Sequence, residues 1–299
     1  MIDVVLLGTG GTMPLPERAL TALYVRYEGR VVLIDCGEGT QTAIRREGLR
    51  MKPIEAILIT HFHADHISGL PGLLLTMGNE GRTEALTIYG PEGLEQTVKA
   101  LRVIVPELPF EIEFVEFNQT DRVHFACGGL EADVFPVDHG IPCLGYCFNL
   151  NRQGKFDPQA AKAKGIPMKL WGRLQKGESV EGFVPDDVLG PPRKGIRILY
   201  ATDTRPVPAI EEYGRDADLL ILEGMFGEQE KQARAEISHH MMMQEAAHIA
   251  AKINARELWL THYSTATPEP ERFEEELKGI FKNTVIAKDG QTVTLQFRD

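Results

Sequence analysis

Apolar positions along the chain fall into short β-rich runs punctuated by helical patterns. Ile2–Leu7 reads as a buried strand closed by Gly8-Thr9-Gly10-Gly11, and Ala22–Tyr27 with Arg30–Ile34 reads as a hairpin about Glu28-Gly29. Gly37-Glu38-Gly39-Thr40 opens a helix to about Arg46, Glu55–Ile59 is a strand, and His66–Met77 is a helix. Leu86–Tyr89 predicts a strand, and Pro91–Val105 a helix with proline at its start. Strand-like runs follow at Glu111–Phe117, Leu130–Val137 and Leu144–Leu150. From Asn151 to about Lys194 the β pattern lapses, and Gly, Pro and Lys rise. Strands resume at Arg197–Ala201, Leu219–Glu223 and Glu257–Leu260. Helices are expected at Met242–Ile253 and Glu269–Phe281, before two short C-terminal strands. Strands that come in consecutive runs, not in strict alternation with helices, predict two mixed sheets covered by helices over a doubly wound parallel sheet.

Composition narrows the class. With 43% hydrophobic and 25% charged residues in 299, the chain reads as an ordinary globular protein, which excludes disorder, collagen and a coiled coil. No apolar run approaches the about 18 residues of a membrane span, so no membrane partner is expected. The N-terminal MIDVVLLGTGGT has no basic region ahead of its apolar run, which predicts no secretory signal and a cytoplasmic protein. Four cysteines (Cys36, Cys127, Cys143, Cys147) are expected as small buried side chains, not as disulfides. The net charge of −11 argues against a nucleic-acid partner if taken as a whole.

The strongest chemical signal is Thr60-His61-Phe62-His63-Ala64-Asp65-His66, at the junction of a predicted strand and helix. Residues two apart on an extended turn project alike, so His61 and His63 can reach one ion. Asp65 and His66, at the helix mouth, can reach a second. Neutral imidazole with carboxylate suits Zn²⁺. Further ligands must come from elsewhere, and three residues share the context of a polar group directly after an apolar strand: His139, Asp203 and His262. A carboxylate such as Asp203 can bridge two ions about 3.5–4 Å apart.

The T-H-F-H-A-D-H run, followed by Ile67-Ser68-Gly69-Leu70-Pro71-Gly72-Leu73-Leu74, resembles the metallo-β-lactamase superfamily, and its G-L-P-G-L-L continuation resembles the tRNase Z family in particular. Leu33-Ile-Asp-Cys-Gly-Glu-Gly-Thr-Gln41, Val137-Asp-His-Gly-Ile-Pro-Cys-Leu-Gly-Tyr146, Gly190-Pro-Pro-Arg-Lys-Gly195 and Asp203-Thr204-Arg205 are similar to further blocks of that family. The resemblance runs from about residue 5 to 265. It implies an α/β fold, a four-layer αββα metallo-β-lactamase sandwich in a single metallo-hydrolase domain over 1–299, with an inserted basic arm over 151–194. It implies two Zn²⁺ per chain, one held by His61, His63 and His139 and one by Asp65, His66 and His262, with Asp203 between them. Asp65 would also orient the nucleophile or act as general base, and His240, paired with Glu223, would assist the leaving group. His239 competes with His240 for that role. The implied activity is endonucleolytic removal of the 3′ trailer from a tRNA precursor, leaving 3′-OH and 5′-phosphate, in a homodimer. Three loops depart from the family. Its Pro-x-Lys-x-Arg-Asn reads Pro14-Leu15-Pro16-Glu17-Arg18-Ala19, its His-Glu-Ala-Thr reads Leu222-Glu223-Gly224-Met225, and its His-Ser-Thr reads His240-Met241-Met242.

The family's arm grips the tRNA elbow, which answers the objection from net charge. Residues 151–178 carry seven basic side chains (Arg152, Lys155, Lys162, Lys164, Lys169, Arg173, Lys176) against Asp157 and Glu178, a local +5. A local patch serves phosphate contacts whatever the total. The alternatives are a small-molecule phosphodiesterase, thioesterase or lactonase of the same fold, a di-iron oxygen-reducing protein, and a non-catalytic RNA-binding module. The di-iron proteins carry Glu where this chain has His63. A bare binding module needs neither the ligand set nor His240 and Glu223.

Overall fold

The first six strands and the last form one mixed sheet in the structure, a computed structural model that describes residues 1–298. They are β1 (Ile2–Gly8), β2 (Ala22–Tyr27), β3 (Arg30–Ile34), β4 (Ile54–Leu58), β5 (Leu86–Pro91), β6 (Ile112–Phe117) and β14 (Gln291–Leu295), in the order β14-β1-β2-β3-β4-β5-β6. Pairing is antiparallel from β14 to β3 and parallel from β3 to β6. The second sheet holds β7 (Val123–Cys127), β8 (Leu130–Pro136), β9 (Leu144–Arg152), β10 (Arg193–Ala201), β11 (Leu219–Glu223), β12 (Leu258–Thr261) and β13 (Thr284–Ile286), in chain order across the sheet. Its β10 to β13 are parallel, and β11 and β12 are buried along their whole length. Parallel strands covered on both faces lose the apolar–polar alternation in this way.

Helices flank both sheets. On the first sheet lie α1 (Thr40–Arg46), α2 (Ala64–Ile67), α3 (Leu70–Asn79) and α4 (Leu94–Leu101). In α3, Leu70, Leu73, Leu74 and Met77 follow the i, i+3, i+4, i+7 spacing and pack into a core with Leu7, Ile57 and Ile88. Two short helices, α5 (Pro158–Ala163) and α6 (Met168–Gln175), occupy the span where the β pattern lapses. The second sheet is covered by α7 (Pro208–Gly214), α9 (Met243–Lys252) and α10 (Glu274–Ile280), with α8 (Gln232–Ile237) just ahead of α9. In α9, Met243, Ala246, Ala247 and Ala250 make the buried stripe. Hydrogen bonds tie sheet to sheet, among them Tyr146 Oη donating to the Ile59 carbonyl at 2.7 Å, Leu144 N–H to the Thr60 carbonyl at 3.0 Å, and Tyr200 Oη to Asp35 Oδ2 at 3.4 Å. The expected sandwich of two mixed sheets between helices is therefore present. Among the described residues, no helix is long and apolar enough to cross a membrane.

The chain divides into two compact units, Met1–Phe148 with Arg197–Leu295, and Asn149–Ile196 with the residues from Gln296 onward. The second unit has its own small core of Ala161, Ile166, Leu170, Leu174, Val180 and Val188, with Phe156, Trp171 and Phe183 against it. Asp157 caps α5 by accepting the Gln159 and Ala160 N–H groups at 2.8 and 3.1 Å.

Helices α5 to α8 have no counterpart in the sequence expectation, and three further differences have a plain physical cause. The helix expected over His66–Met77 is broken at Ser68-Gly69, because Gly69 lies against the turn after β3. Its N–H donates to the Cys36 carbonyl at 2.9 Å, and a Cβ there would sit 2.1 Å from the Gly37 carbonyl oxygen. Pro91 ends β5 and does not begin a helix. Glu116, on the neighbouring strand, accepts the Gly93 and Glu95 N–H groups at 2.9 and 2.8 Å, and so sets the start of α4 from outside the local sequence. Strand β7, which has no clear run of its own, forms by pairing with β8 through the Gly128-Gly129 turn. The four cysteines are buried and form no disulfide among the described residues, as expected.

Candidate active site

Several strands end on a side chain of ligand type. β4 runs into Thr60–His66, β8 is followed by His139, β10 by Asp203 and β12 by His262, while β11 ends on Glu223. Carboxyl ends of parallel strands are where open α/β sheets build sites. The backbone there is strained: Asp35, Asp203, His239 and His262 all hold φ between 54° and 59°, a region non-glycine residues seldom occupy. Gly11 lies against the His262 ring, and any side chain there would collide with it, since a Cβ would fall 2.6 Å from Cε1.

Five overlapping trios of ligand-type residues result among the described residues, and two of them are the sets that the resemblance implies. In the first, His63 Nδ1 lies 3.0 Å from His61 Nε2 and 3.2 Å from His139 Nε2. In the second, His262 Nε2 lies 3.1 Å from His66 Nε2 and 3.3 Å from Asp65 Oδ2. Asp203 stands between them. Its Oδ1 faces His139 and His61 at 3.6 and 3.9 Å, and its Oδ2 faces His66 and His262 at 3.2 and 3.3 Å. All seven residues are buried except His63, which is exposed.

The donor set fits cations. His66 Nδ1 is 2.8 Å from Asp35 Oδ2, so the imidazole donates there and turns its other nitrogen inward. His139 likewise donates from Nδ1 to the His239 carbonyl at 3.3 Å. The inward atoms of His66 and His139 are then lone pairs, set about 3 Å from other ring nitrogens and carboxylate oxygens, an arrangement that a bound cation relieves. Asp203 Oδ2 and His262 Nδ1 are buried without a hydrogen-bond partner. A tetrahedral Zn²⁺ with ligand atoms at about 2.0–2.1 Å keeps them about 3.3 Å apart, close to the spacing within each trio. The electrostatics agree for four of the ligands; at His66 burial is outweighed by Asp203 and Asp35, which hold its imidazole well above the ordinary value in the metal-free fold. Burial pushes the His61 and His139 imidazoles down, toward the neutral form that ligates. Burial would also raise the Asp65 and Asp203 carboxyls. The surrounding histidines outweigh it and hold both well below the usual carboxylate range.

His240 and Glu223 lie beside this cluster. His240 Nδ1 is 2.8 Å from Glu223 Oε2 and 3.9 Å from Asp203 Oδ1, and its ring centre is 4.9 Å from that of His139. Glu223 is wholly buried, and its other oxygen accepts the Thr204 N–H at 2.5 Å. Burial alone would depress the His240 imidazole. The Glu223 charge and hydrogen bond, with Asp203 and Asp65, reverse this and push it up to about 9. His239 instead turns outward to Asp138, Nδ1 to Oδ1 at 2.7 Å. The geometry thus brings His240, and not His239, against Glu223 and the ligand cluster.

Sequence reasoning gave no role to several residues here. Asp35 orients His66 and also accepts Thr60 N–H at 2.8 Å. The Thr12 N–H donates to Asp65 Oδ2 at 2.6 Å. Arg205 donates to the His240 carbonyl and forms a two-pronged pair with Glu245. Asp35 and Arg205 stood inside the family-like blocks, which was the available signal. Thr12 acts through its backbone and left none.

The arm residues belong to the second unit. Lys155, Lys162, Lys164, Lys169, Arg173 and Lys176 are exposed there. Glu178 and acidic residues just past it meet part of this charge. Lys164 pairs with Asp187, Lys169 with Glu181 at 3.6 Å, and Arg173 with Glu178 at 2.8 Å. Arg152 donates to the Arg298 carbonyl at 2.6 Å and lies over the Phe297 ring. Exposed pairs of this kind hold weakly and can exchange for phosphate.

Residues 30–263 match the β-lactamase superfamily domain. The chain is 50% identical over 301 residues to "Ribonuclease Z" of Lachnoclostridium phytofermentans, across 99% of each chain. It is 46% identical over 309 residues to "Ribonuclease Z" of Clostridium acetobutylicum, across 100% of each. Among solved structures it is similar to the short form of human tRNase Z, with 26% identity, a TM-score of 0.72, and 99% and 100% of the two chains covered.

Proposed function

The chain belongs to the ribonuclease Z family of the β-lactamase superfamily, and from that premise we propose an endoribonuclease that uses two Zn²⁺ per chain to cut the 3′ trailer from tRNA precursors. The observation that carries the two-metal reading is Asp203, one oxygen toward each trio. His61, His63 and His139 would hold one ion, Asp65, His66 and His262 the other, with Asp203 shared. When bound, the ions supply charge neutralisation at the scissile phosphate and a water acidic enough to ionise near neutral pH.

The chain's own groups supply the rest. Asp65 is ionised and fixed by the Thr12 N–H, which suits it to orient the attacking water. His240 donates from Nδ1 to Glu223, so its Nε2 is the atom that gives a proton to the departing ribose oxygen. Water is the nucleophile, so the products carry a 3′-OH and a 5′-phosphate. Buried Glu223 keeps His240 charged and in one orientation. The exposed lysines of the 149–196 unit bind phosphates of the tRNA body. The family resemblance further implies a cytoplasmic homodimer in which one subunit's arm serves the other's site.

A transcribed tRNA precursor incubated with zinc-loaded protein should yield one cut at the trailer junction, and chelation should stop it. Hydrolysis of bis(p-nitrophenyl) phosphate with no cleavage of the precursor would instead favour a small-molecule phosphodiesterase.

A further inference from the structure

We propose that Asp138 and His239, two partly exposed residues outside the ligand set, form a positioning pair for the metal ligand His139. The inference rests on the reading that His61, His63 and His139 hold an ion.

The hydrogen bonds close a small ring. Asp138 is stitched at both backbone groups to the segment after Asp203: its N–H donates to Thr204 Oγ1 at 3.0 Å, and its carbonyl accepts the Arg205 N–H at 2.9 Å. Its side chain accepts from His239 Nδ1 at 2.7 Å. The His239 carbonyl in turn accepts from His139 Nδ1 at 3.3 Å, and the peptide bond from Asp138 to His139 completes the circuit. His239 sits at φ +55°, where a β-carbon is disfavoured, so its carbonyl faces His139 only while something holds the turn. Two anchors do so. The Asp138 carboxylate holds the side chain of His239, and Arg205 holds the next carbonyl, that of His240, at 2.5 Å.

This arrangement fixes which His139 nitrogen is free. With Nδ1–H given to the His239 carbonyl, Nε2 keeps its lone pair and points at His63 Nδ1, 3.2 Å away, and at Asp203 Oδ1, 3.6 Å away. A ligating histidine is commonly oriented through its second nitrogen in this manner. Burial cannot explain the pair, because the Asp138 and His239 side chains are 49% and 42% exposed. An exposed ion pair adds little stability by itself, so its consequence falls on the orientation of His139.

Loss of an outer partner costs a metal site roughly 10–100-fold in affinity. His239→Ala keeps the carbonyl and loses only its anchor, so about tenfold is expected. The test is a Zn²⁺ titration of metal-free full-length protein against a chromophoric chelator, with Co²⁺ spectra as a second readout. In His239→Ala, one of the two sites should weaken about tenfold while the other and the melting temperature of the metal-free protein stay put. His239→Asn should recover most of the loss, because asparagine tolerates a positive φ and its amide can donate to Asp138. Wild-type protein that binds two ions, beside a His239→Ala variant that holds both as tightly or loses both equally, would overturn the pairing alone. A wild type that takes up no zinc would overturn the two-metal reading and the pairing with it.

Discussion

Replacing Glu223 by Gln probes the buried half of the His240 dyad with almost no change of shape. Glu223 now serves two donors, Thr204 N–H through Oε1 and His240 through Oε2. Glutamine has one oxygen for both, so the neutral imidazole that accepts from the amide becomes the favoured form. The size of the effect follows from His240. Its imidazole titrates near 9 in the metal-free fold, against an ordinary 6.5. A raised value means that the stabilisation is complete below pH 6.5 and drains away as pH climbs to 9. The gap of about 2.5 pH units corresponds to about 3 kcal/mol at full strength. The melting temperature of metal-free wild type should therefore exceed that of Glu223→Gln most at pH 6, and the two should converge near pH 9. Turnover should follow the same proton. In the metal-free fold, a return of His240 to its ordinary value drops its protonated fraction at pH 8 from about nine-tenths to about 3%, which sets roughly 30-fold as the upper bound on the loss in single-turnover cleavage. Bound cations offset Asp203 and Asp65, so the alkaline limb of the loaded enzyme lies below 9, yet above that of the variant. Superimposable pH–rate profiles, with melting curves that differ equally at pH 6 and pH 9, would refute the assignment of His240 as the charged donor.

Asp203→Ala should lower zinc content at both sites, whereas His63→Ala should empty one and leave the other; elemental analysis of purified variants decides. His240→Ala should keep both ions and still lose roughly 10²–10⁴ in kcat, and unchanged turnover would remove it from the chemistry. Reversing Lys155, Lys162 and Lys176 to Glu should flatten the log–log salt dependence of precursor binding by about 0.9 for each duplex phosphate that the variant no longer neutralises, with bis(p-nitrophenyl) phosphate hydrolysis unaffected. Met242→Thr should raise stability by about 1 kcal/mol, because Met242, the residue just ahead of α9, offers no side-chain oxygen to the helix's first N–H groups; a denaturant midpoint unchanged or lowered would show that the Met242 packing against Phe226 matters more.

The ligand set was legible because it consists of side chains whose types announce their chemistry and whose places follow apolar runs. His61, His139, Asp203 and His262 could each be found as a ligand-type side chain within three residues of a strand's end. What stayed hidden depends on partners distant in sequence. Glu116 caps a helix on another element, Asp35 orients His66 from 31 positions away, and the Thr12 N–H carries no residue signature at all. The charge of the arm was read from a window ending at 178. Asp187 and Glu181, just outside it, compensate two of its lysines. Strand β7 became visible only beside β8, since a weak alternating run is stabilised by its neighbour and not by itself.

The two nitrogens that meet at 3.1 Å, on His66 and His262, lie 196 residues apart along the chain. That separation bears on the order of events in folding. A nascent or unfolded chain offers an ion only the local His61–His66 stretch, a poor chelate. The full cage exists once both sheets have formed and docked. Closing so long a loop is slow and entropically costly, so the ligand cage is assembled late, and a metal ion taken up there would lock a topology already reached. Slow uptake of the second ion during refolding would mark completion of the native fold, and removing the metal should loosen first the seam between the sheets, leaving each sheet's own ladder for last.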